Sequence, residues 1–288
     1  MSARLMLAPA ALAALVLIGL PAVLTVGESL LQDDLVGTPR FVGLDNYVTI
    51  VQDPVFRDAL RTSLLFCLLV VPVRLLGALA FALLLHRPRR GAAWQRAAVF
   101  APTAMPDVAV VAAWTFLLNP GYGPVNGLLG LAGLPGPSWF AEPWPALIGV
   151  SLMAAFTFGE GFLVMLAARQ ELPGDLFEAA RLEGASAWHA LRRVTLPLLA
   201  PVLGLLAARD VAVVLQASFV PAYLTTDGGP DRATLTLPLH LYDTGFEQFR
   251  FGEAAAMTVV LLALGGVLVL LQWRILRHWR AGVGGATR

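Results

Sequence analysis

The chain has 288 residues, of which 58% are hydrophobic and 14% are charged, and its mean hydropathy is +0.73. A soluble globule of this size needs more charged residues to cover its surface, so the composition predicts a protein of the lipid bilayer. The net charge of +1 gives no reason to expect a nucleic-acid partner, because nucleic-acid binding requires a concentrated basic stripe that offsets phosphates.

The basic residues are all arginine. A chain without lysine cannot carry a Walker A loop, whose lysine reaches the β- and γ-phosphates, and it cannot form a lysine Schiff base. If ATP drives this protein, another subunit binds the ATP, and we expect no cofactor in this chain. We also expect no metal site, because His189 and His240 are isolated residues without ligand spacing.

Six apolar segments reach the length of about 20 residues that a helix needs to cross the hydrocarbon core. We therefore predict an all-α membrane protein with six transmembrane helices in a single domain over residues 1–288. The predicted spans are 5–26, 62–85, 97–118, 144–168, 196–220 and 254–273.

Six spans put both termini on one side of the membrane, and the distribution of arginine selects that side. If the termini are cytoplasmic, thirteen arginines lie inside, among them Arg4, Arg277, Arg280 and Arg288, and five lie outside. We therefore expect both termini in the cytoplasm. The polar loop 169–195, between spans four and five, is then cytoplasmic as well.

The loop 169–195 has the local signals of two short helices. Asp175 and Glu178 have capping-box spacing, which predicts a helix that starts at Asp175, runs through Glu183 and stops at Gly184. Ser186 can cap a second helix that leads to Leu196, and Pro197 then falls in the first turn of span five. The first helix is either an amphipathic linker on the lipid headgroups or a docking element for a soluble partner, and physics alone leaves both open.

Five charged residues lie in the interior of predicted spans: Arg74, Asp107, Glu160, Arg209 and Asp210. A charge at the bilayer centre costs at least about 2.5–3.5 kcal/mol, so these side chains should face protein or water. Three acids and two arginines permit two interhelical ion pairs, with one acid left over and neutralised by burial.

Span five is predicted to carry a polar stripe. Arg209 and Asp210 should not pair with each other, because adjacent helix positions do not face each other. Gln216 and Tyr223 follow Arg209 at intervals of seven residues, which places the three side chains on one helix face. This face is a candidate lining of a translocation path.

The loop 169–195 also resembles a known sequence motif. The matching run is Glu178-Ala179-Ala180, three residues, Gly184, nine residues, Val194, one residue, and Leu196-Pro197. It is similar to the EAA loop of ABC importer permeases, with valine where that family usually has isoleucine and Glu183 where aspartate is common. Further segments resemble the carbohydrate-importer branch: residues 41–47, Leu172-Pro173 and Gly228-Gly229-Pro230.

The resemblance implies a type I ABC importer permease of a bacterial inner membrane, in which the EAA segment is a cytoplasmic coupling helix. Carried over to this chain, Glu178 would contact an ATPase subunit, Ala179 and Ala180 would allow close seating, and Gly184 would turn the chain. The implied partners are a second permease in a heterodimer, an ATPase dimer that binds ATP, and an extracytoplasmic solute-binding protein.

The resemblance implies import of a sugar, with a glycerol-3-phosphate or other polyol importer as the alternative. The charges inside the spans would either hydrogen-bond sugar hydroxyls or serve as structural contacts between helices. An ion-coupled secondary transporter is a further alternative, in which the midspan acids would carry protons. An intramembrane enzyme is disfavoured, because no Ser/His pair, His-rich cluster or exposed acidic dyad falls at one depth of the predicted spans.

Overall fold

A computed structural model describes the backbone of residues 3–34 and 38–284 and the side chains of residues 8–34 and 38–274. Arg288 and the side chains of Arg4, Arg277 and Arg280, which entered the arginine count, lie outside the described residues. Within the described residues the chain is mostly helical, as predicted, and its strands are one antiparallel pair of two residues each.

The α-helices are α1 (Ala3–Ala14), α2 (Leu20–Glu28), α3 (Asp45–Gln52), α4 (Pro54–Leu85), α5 (Ala92–Phe100), α6 (Asp107–Leu117), α7 (Pro124–Leu131), α8 (Pro143–Phe156), α9 (Gly159–Gln170), α10 (Gly174–Leu182), α11 (Ala187–Ala190), α12 (Leu196–Ala217), α13 (Phe219–Thr225), α14 (Leu237–Tyr242) and α15 (Phe251–Gly284). Segments of π-helix cover Leu15–Gly19, Leu191–Thr195 and Asp243–Glu247, and a 3₁₀ turn covers Ala101–Ala104. The strands are β1 (Leu31–Gln32) and β2 (Arg40–Phe41).

Four helical stretches of the described chain are long and apolar enough to cross a membrane: Ala8–Glu28, Pro54–Leu85, Ala187–Thr225 and Phe251–Arg274. They correspond to predicted spans one, two, five and six. Two of them begin well before the predicted starts at residues 62 and 196, because amphipathic turns extend each helix beyond its apolar run. Predicted spans three and four are each a bent pair of helices, so the number of spans rises to six if each pair crosses once.

The third segment bends by 101° between the 3₁₀ turn Ala101–Ala104 and α6. Pro106 causes the bend, since a residue before proline is driven out of the helical region and Met105 is extended, with ψ 142°. The fourth segment bends by 48° between α8 and α9 although it has no proline at the break. The spans predicted over 97–118 and 144–168 are therefore bent helix pairs in the structure, and their number stays a prediction.

The chain divides into two compact units, Met1–Thr62 with Leu235–Leu264, and Ser63–Thr234 with Gly265–Arg288. In the first unit, the Asn46 amide donates to the carbonyls of Ser29 (2.9 Å) and Leu31 (2.8 Å), which fixes α3 against the strand pair. The candidate site residues all lie in the second unit. The expectation of a single domain stays a prediction.

The core of the second unit is formed by α4, α9 and α12. Its fully buried side chains include Phe162 and Met165 of α9 and Leu199 of α12. Small residues let α4 and α9 approach closely, and a Cβ added at Gly161 would lie 3.6 Å from Ala78 Cβ, at ordinary contact distance. Because lipid tails are as apolar as leucine, dispersion contacts of this kind hold the helices together in a bilayer.

Candidate functional site

Four charged side chains from three helices meet in the second unit and form what we call the charged centre: Arg74 of α4, Glu160 of α9, and Arg209 and Asp210 of α12. The helix core described above holds these three helices side by side. The predicted two interhelical ion pairs are present, as Arg74–Asp210 and Arg209–Glu160.

Arg74 is buried and occupies the break in the fourth helical segment. Its Nε lies 3.4 Å from Asp210 Oδ2, and its Nη1 donates to the Ala154 carbonyl at 2.9 Å and to Thr157 Oγ1 at 3.1 Å. Ala154 lies in the last turn of α8, where carbonyls lack helical partners. The arginine therefore satisfies the open end of α8 and neutralises Asp210.

The start of α9, on the other side of the break, is held by a hydrogen bond and by close packing. Its first residue, Gly159, donates its amide to Thr103 Oγ1 at 2.9 Å. A Cβ at Gly159 would lie 2.5 Å from Thr103 Oγ1 and 2.9 Å from Phe100 Cα, so only glycine fits this close approach. Glu160 follows in the first turn, where the helix dipole stabilises a negative charge.

Arg209 bridges two acids. It pairs with Glu160, and its Nη1 lies 3.3 Å from Asp210 Oδ1. The expectation that Arg209 and Asp210 do not pair was wrong: the Cβ atoms of adjacent residues diverge, but the long guanidinium arm reaches back to the neighbouring carboxylate. The Arg209 and Glu160 side chains are 38% and 52% exposed, whereas those of Arg74 and Asp210 are 5% and 4% exposed.

Asp107 is the acid that remains outside this network. It is the first residue of α6, directly after the 101° bend, and it is exposed. The expectation that burial neutralises this acid was therefore wrong. The bend moves Asp107 from the middle of a straight span to a helix N-terminus, where a carboxylate is electrostatically favoured.

The three residues of the predicted polar stripe are accessible, although Arg209 and Gln216 lie in α12 and Tyr223 lies in α13. Arg209 is partly exposed, and Gln216 and Tyr223 are exposed. The Tyr223 ring stacks on Phe219 at a centroid distance of 5.4 Å. An arginine, an amide and an aromatic ring can supply hydrogen bonds and a flat apolar surface, which is the chemistry that sugar recognition uses.

The loop 169–195 folds into two short helices, α10 and α11. In α10, Glu178 and Ala179 are exposed and Ala180 is half-buried. The helix begins at Gly174, with Pro173 as its N-cap and no side-chain cap, so the predicted capping box at Asp175 was wrong. Gly184 follows the helix with φ +80°, and this left-handed conformation is as predicted.

The second short helix continues into span five without interruption. Ser186 caps α11 by accepting the His189 amide at 3.3 Å, as predicted. The π-helical segment Leu191–Thr195 then joins α11 to Leu196 and Pro197 at the start of α12. Pro197 was expected in the first turn of span five. It lies in the first turn of α12, as expected, and the preceding π-helical segment extends the helical run back to α11.

Sequence reasoning missed Ala154, Thr157 and Thr103, which hold the two sides of the break. Their roles arise from contacts between segments distant in the chain. A local signal was nevertheless present, because Gly159-Glu160-Gly161 places a charge between two glycines inside an apolar run. Glycines at such a position mark a helix break or a close backbone approach.

Membrane-length helices, a charged centre between them and an exposed polar helix in a connecting loop define a multi-pass membrane protein of the transporter class. The chain belongs to the family of binding-protein-dependent transport system inner membrane components, whose model matches residues 74–280. This membership confirms the resemblance to ABC importer permeases. The protein is a permease component of such a transport system.

Curated relatives cover most of the chain. The probable ABC transporter permease protein YesP of Bacillus subtilis (strain 168) is 30% identical over 252 residues, which are 85% of this chain and 81% of YesP. The sn-glycerol-3-phosphate permease UgpA of Escherichia coli O6:K15:H31 is 32% identical over 240 residues, 82% of this chain and 80% of UgpA. The sulfoquinovosyl glycerol permease SmoG of Agrobacterium fabrum is 31% identical over 280 residues, which are 96% of this chain and 90% of SmoG.

The fold also matches a solved structure. A chain of a bacterial ABC transporter involved in the import of the acidic polysaccharide alginate superposes with a TM-score of 0.79 at 22% identity, covering 95% of this chain and 94% of that chain. This likeness establishes the permease fold for the helical arrangement described above.

Proposed function

We propose that this chain is the permease subunit of an ATP-driven importer of a sugar or polyol. It forms half of a translocation path together with a second permease, receives substrate from an extracytoplasmic binding protein, and is moved by a separate ATPase dimer. ATP binds to that dimer, and this chain holds no ATPase site. Both termini lie in the cytoplasm of a bacterial cell, as the arginine distribution favours.

The substrate class is supported by the relatives and by the polar stripe. Three of the matched transport systems are named for sn-glycerol-3-phosphate, sulfoquinovosyl glycerol and alginate, which are all polyhydroxylated. All three of these named substrates are also anions. In the charged centre, both arginines already have carboxylate partners. The described residues of this half of the path, by contrast, offer hydrogen bonds without an uncompensated cation, and on this ground we propose a neutral sugar rather than a phosphorylated one.

We assign different roles to the buried and to the accessible residues of the charged centre and the polar stripe. The buried Arg74–Asp210 pair holds helices together, whereas Arg209, Glu160, Gln216 and Tyr223 are accessible and line the path. Uptake assays with a neutral sugar set and with glycerol-3-phosphate separate the two substrate classes. Transport of glycerol-3-phosphate alone would contradict the neutral-sugar assignment.

A second permease has an apolar surface to cover. In the first candidate span, Ala8–Glu28, none of the most apolar window is buried within the chain. Such a helix packs against lipid or against another membrane subunit. We assign the partner permease to this region, with lipid on the remaining face.

Coupling to the ATPase rests on one observation, the exposed face of α10. Glu178 and Ala179 project from a short helix between two spans, and Gly184 ends the helix with φ +80°. A carboxylate beside a small residue allows a close, charge-assisted contact with basic groups of a docked protein. Closure of the ATPase pair would move α10 and rock the permease halves between inward-facing and outward-facing states.

The test is transport by the reconstituted complex with Glu178→Gln and Gly184→Val in this chain. We expect uptake to fall by about tenfold or more, because removing one partner of a desolvated charged contact costs several kcal/mol. Glu171→Gln, which removes an exposed acid outside α10, is the matched control and should leave uptake unchanged. Helicity and the amount of assembled complex report folding, and ATP-dependent uptake at the wild-type rate by the folded double variant would reject the coupling role.

A further inference from the structure

A groove of about 410 Å³ lies beside α10 and has a strongly basic lining. Arg87, Arg169 and Arg181 line it together with the apolar side chains of Leu172 and Phe177, and we call it the arginine groove. None of the described residues that line it is acidic. The groove is separate from the charged centre and from the exposed Glu178 face.

Arg169 is positioned for an anion that the described part of the chain does not supply. Its guanidinium carbon lies 4.3 Å from the centroid of the Phe177 ring, so one face of the guanidinium is covered. Its Nε is buried and has no hydrogen-bond partner among the described residues. A stacked guanidinium keeps its planar edge free, and that edge suits two oxygens of a phosphate.

The positive charge of the groove also affects His86. The pKa of His86, which lines the same groove, is lowered from its ordinary value, first by burial and then by nearby arginines, of which Arg169 contributes most. The His86 Nδ1–H donates to the Leu83 carbonyl at 2.7 Å. An anion in the groove would offset the charges of the lining arginines, for which the described lining residues supply no acid.

The position of the groove favours one source of the anion. Arg169 lies in the last turn of α9, and Arg87 follows the end of α4 by two residues, so both arginines lie where candidate spans end. This is the level of lipid headgroups, where long basic side chains meet phosphates. Leu172 and Phe177 add apolar surface, which suits the first carbons of the acyl chains of a lipid and which a free phosphate would not use.

We propose that the arginine groove binds the phosphate of an anionic phospholipid headgroup, held by Arg87, Arg169 and Arg181. This site goes beyond the transport function, and it depends neither on the orientation of the chain nor on the role of Glu178. The bound lipid would fill the space between the end of α9 and α10 and thereby hold the connecting loop in place.

The test measures lipid binding by the complete transporter complex. The purified complex is titrated with phosphatidylcholine vesicles that contain or lack phosphatidylglycerol, and retained lipid is identified by native mass spectrometry. Arg87→Gln with Arg181→Gln removes two exposed charges, and we expect phosphatidylglycerol affinity to fall about fivefold for each arginine. Arg90→Gln with Arg193→Gln removes two exposed arginines outside the groove and is the charge-matched control.

Three results would overturn the proposal. Equal loss of phosphatidylglycerol in the groove variant and in the control would mean that general surface charge attracts the lipid. Displacement of the lipid by inorganic phosphate at equal concentration would identify a free-phosphate site. Unchanged lipid retention combined with loss of the ATPase subunit from the groove variant would assign the arginines to a protein contact. Arg169→Lys in the folded complex should retain weakened binding, since lysine keeps the charge and loses the two-pronged contact.

Discussion

Replacing Arg74 by methionine tests whether this arginine holds the break between α8 and α9. The variant keeps a side chain of similar length and removes the charge and every donor. It leaves the Ala154 carbonyl without its 2.9 Å contact, and it leaves Asp210 with Arg209 at 3.3 Å as its remaining cation in the described structure. The two losses occur at a site where both partners are at most 5% exposed.

The expected cost follows from this burial. Breaking a buried ion pair by removing one partner costs about 3–5 kcal/mol. Because Arg209 still faces Asp210, we expect the lower end, about 3 kcal/mol. Arg209→Met removes a cation from the same network, but the pair with Glu160 is 38% and 52% exposed, and exposed pairs contribute about 0–1 kcal/mol. The two variants should therefore differ by at least about 2 kcal/mol.

The assay is unfolding of the purified chain in mixed micelles with increasing sodium dodecyl sulfate, followed by the helical circular dichroism signal. A double variant of Arg74→Met and Asp210→Asn should cost at least about 1 kcal/mol less than the sum of the single variants, because the two groups interact directly. If Arg74→Met is no more destabilising than Arg209→Met, the buried pair does not hold the break and the reasoning fails.

Two further predictions use the same unfolding assay. Gly159→Ala should destabilise the chain by about 1–3 kcal/mol, since its Cβ would lie 2.9 Å from the Cα atom of Phe100. Gly161→Ala is the control and should be nearly neutral, because its Cβ would lie at ordinary contact distance. Equal effects of the two substitutions would contradict the close packing at Gly159. Because the pKa of His86 is lowered in the folded chain, the unfolded chain binds a proton at His86 at a higher pH than the folded chain does. The free energy of unfolding should therefore be constant above the ordinary pKa of 6.5 and should decrease as the pH falls below this value. His86→Gln should remove this decline and the exposed control His189→Gln should not, and a parallel pH profile for wild type and His86→Gln would contradict the prediction.

Features set by local chemistry could be predicted from the sequence. The apolar runs located the membrane helices because the bilayer requires a fixed length of apolar helix. Gly184 and Ser186 were placed correctly because a left-handed turn and an N-cap each depend on a single residue type. Arg209, Gln216 and Tyr223, which the sequence proposed as a path lining, are likewise at least partly exposed, whereas their position on one helix face stays a prediction because Tyr223 lies in α13.

Features set by tertiary contacts could not be predicted in this way. Pro72 lies inside the 32-residue helix α4 and does not end it, whereas Pro106 lies at a 101° bend. Proline alone therefore does not determine a helix break. The break after Phe156 contains no proline and is stabilised by Arg74, about 80 residues earlier in the chain. No pattern of local spacing reports a contact over that distance.

The break also connects the two candidate sites. Helix α9 has 12 residues, about 18 Å at 1.5 Å per residue. It runs from Gly159, which precedes Glu160 of the charged centre, to Gln170, four residues before α10 begins. Its buried side chains pack against α4 and α12. We therefore expect α9 to move together with these two helices. In the proposed mechanism, a displacement of α10 by the ATPase reaches the path as a tilt of α9 about the break at Thr157. Since α8 ends at that break, α8 need not follow the tilt of α9, and the contact between Arg74 of α4 and the Ala154 carbonyl of α8 would act as the pivot. A straight helix over the same residues would not allow this.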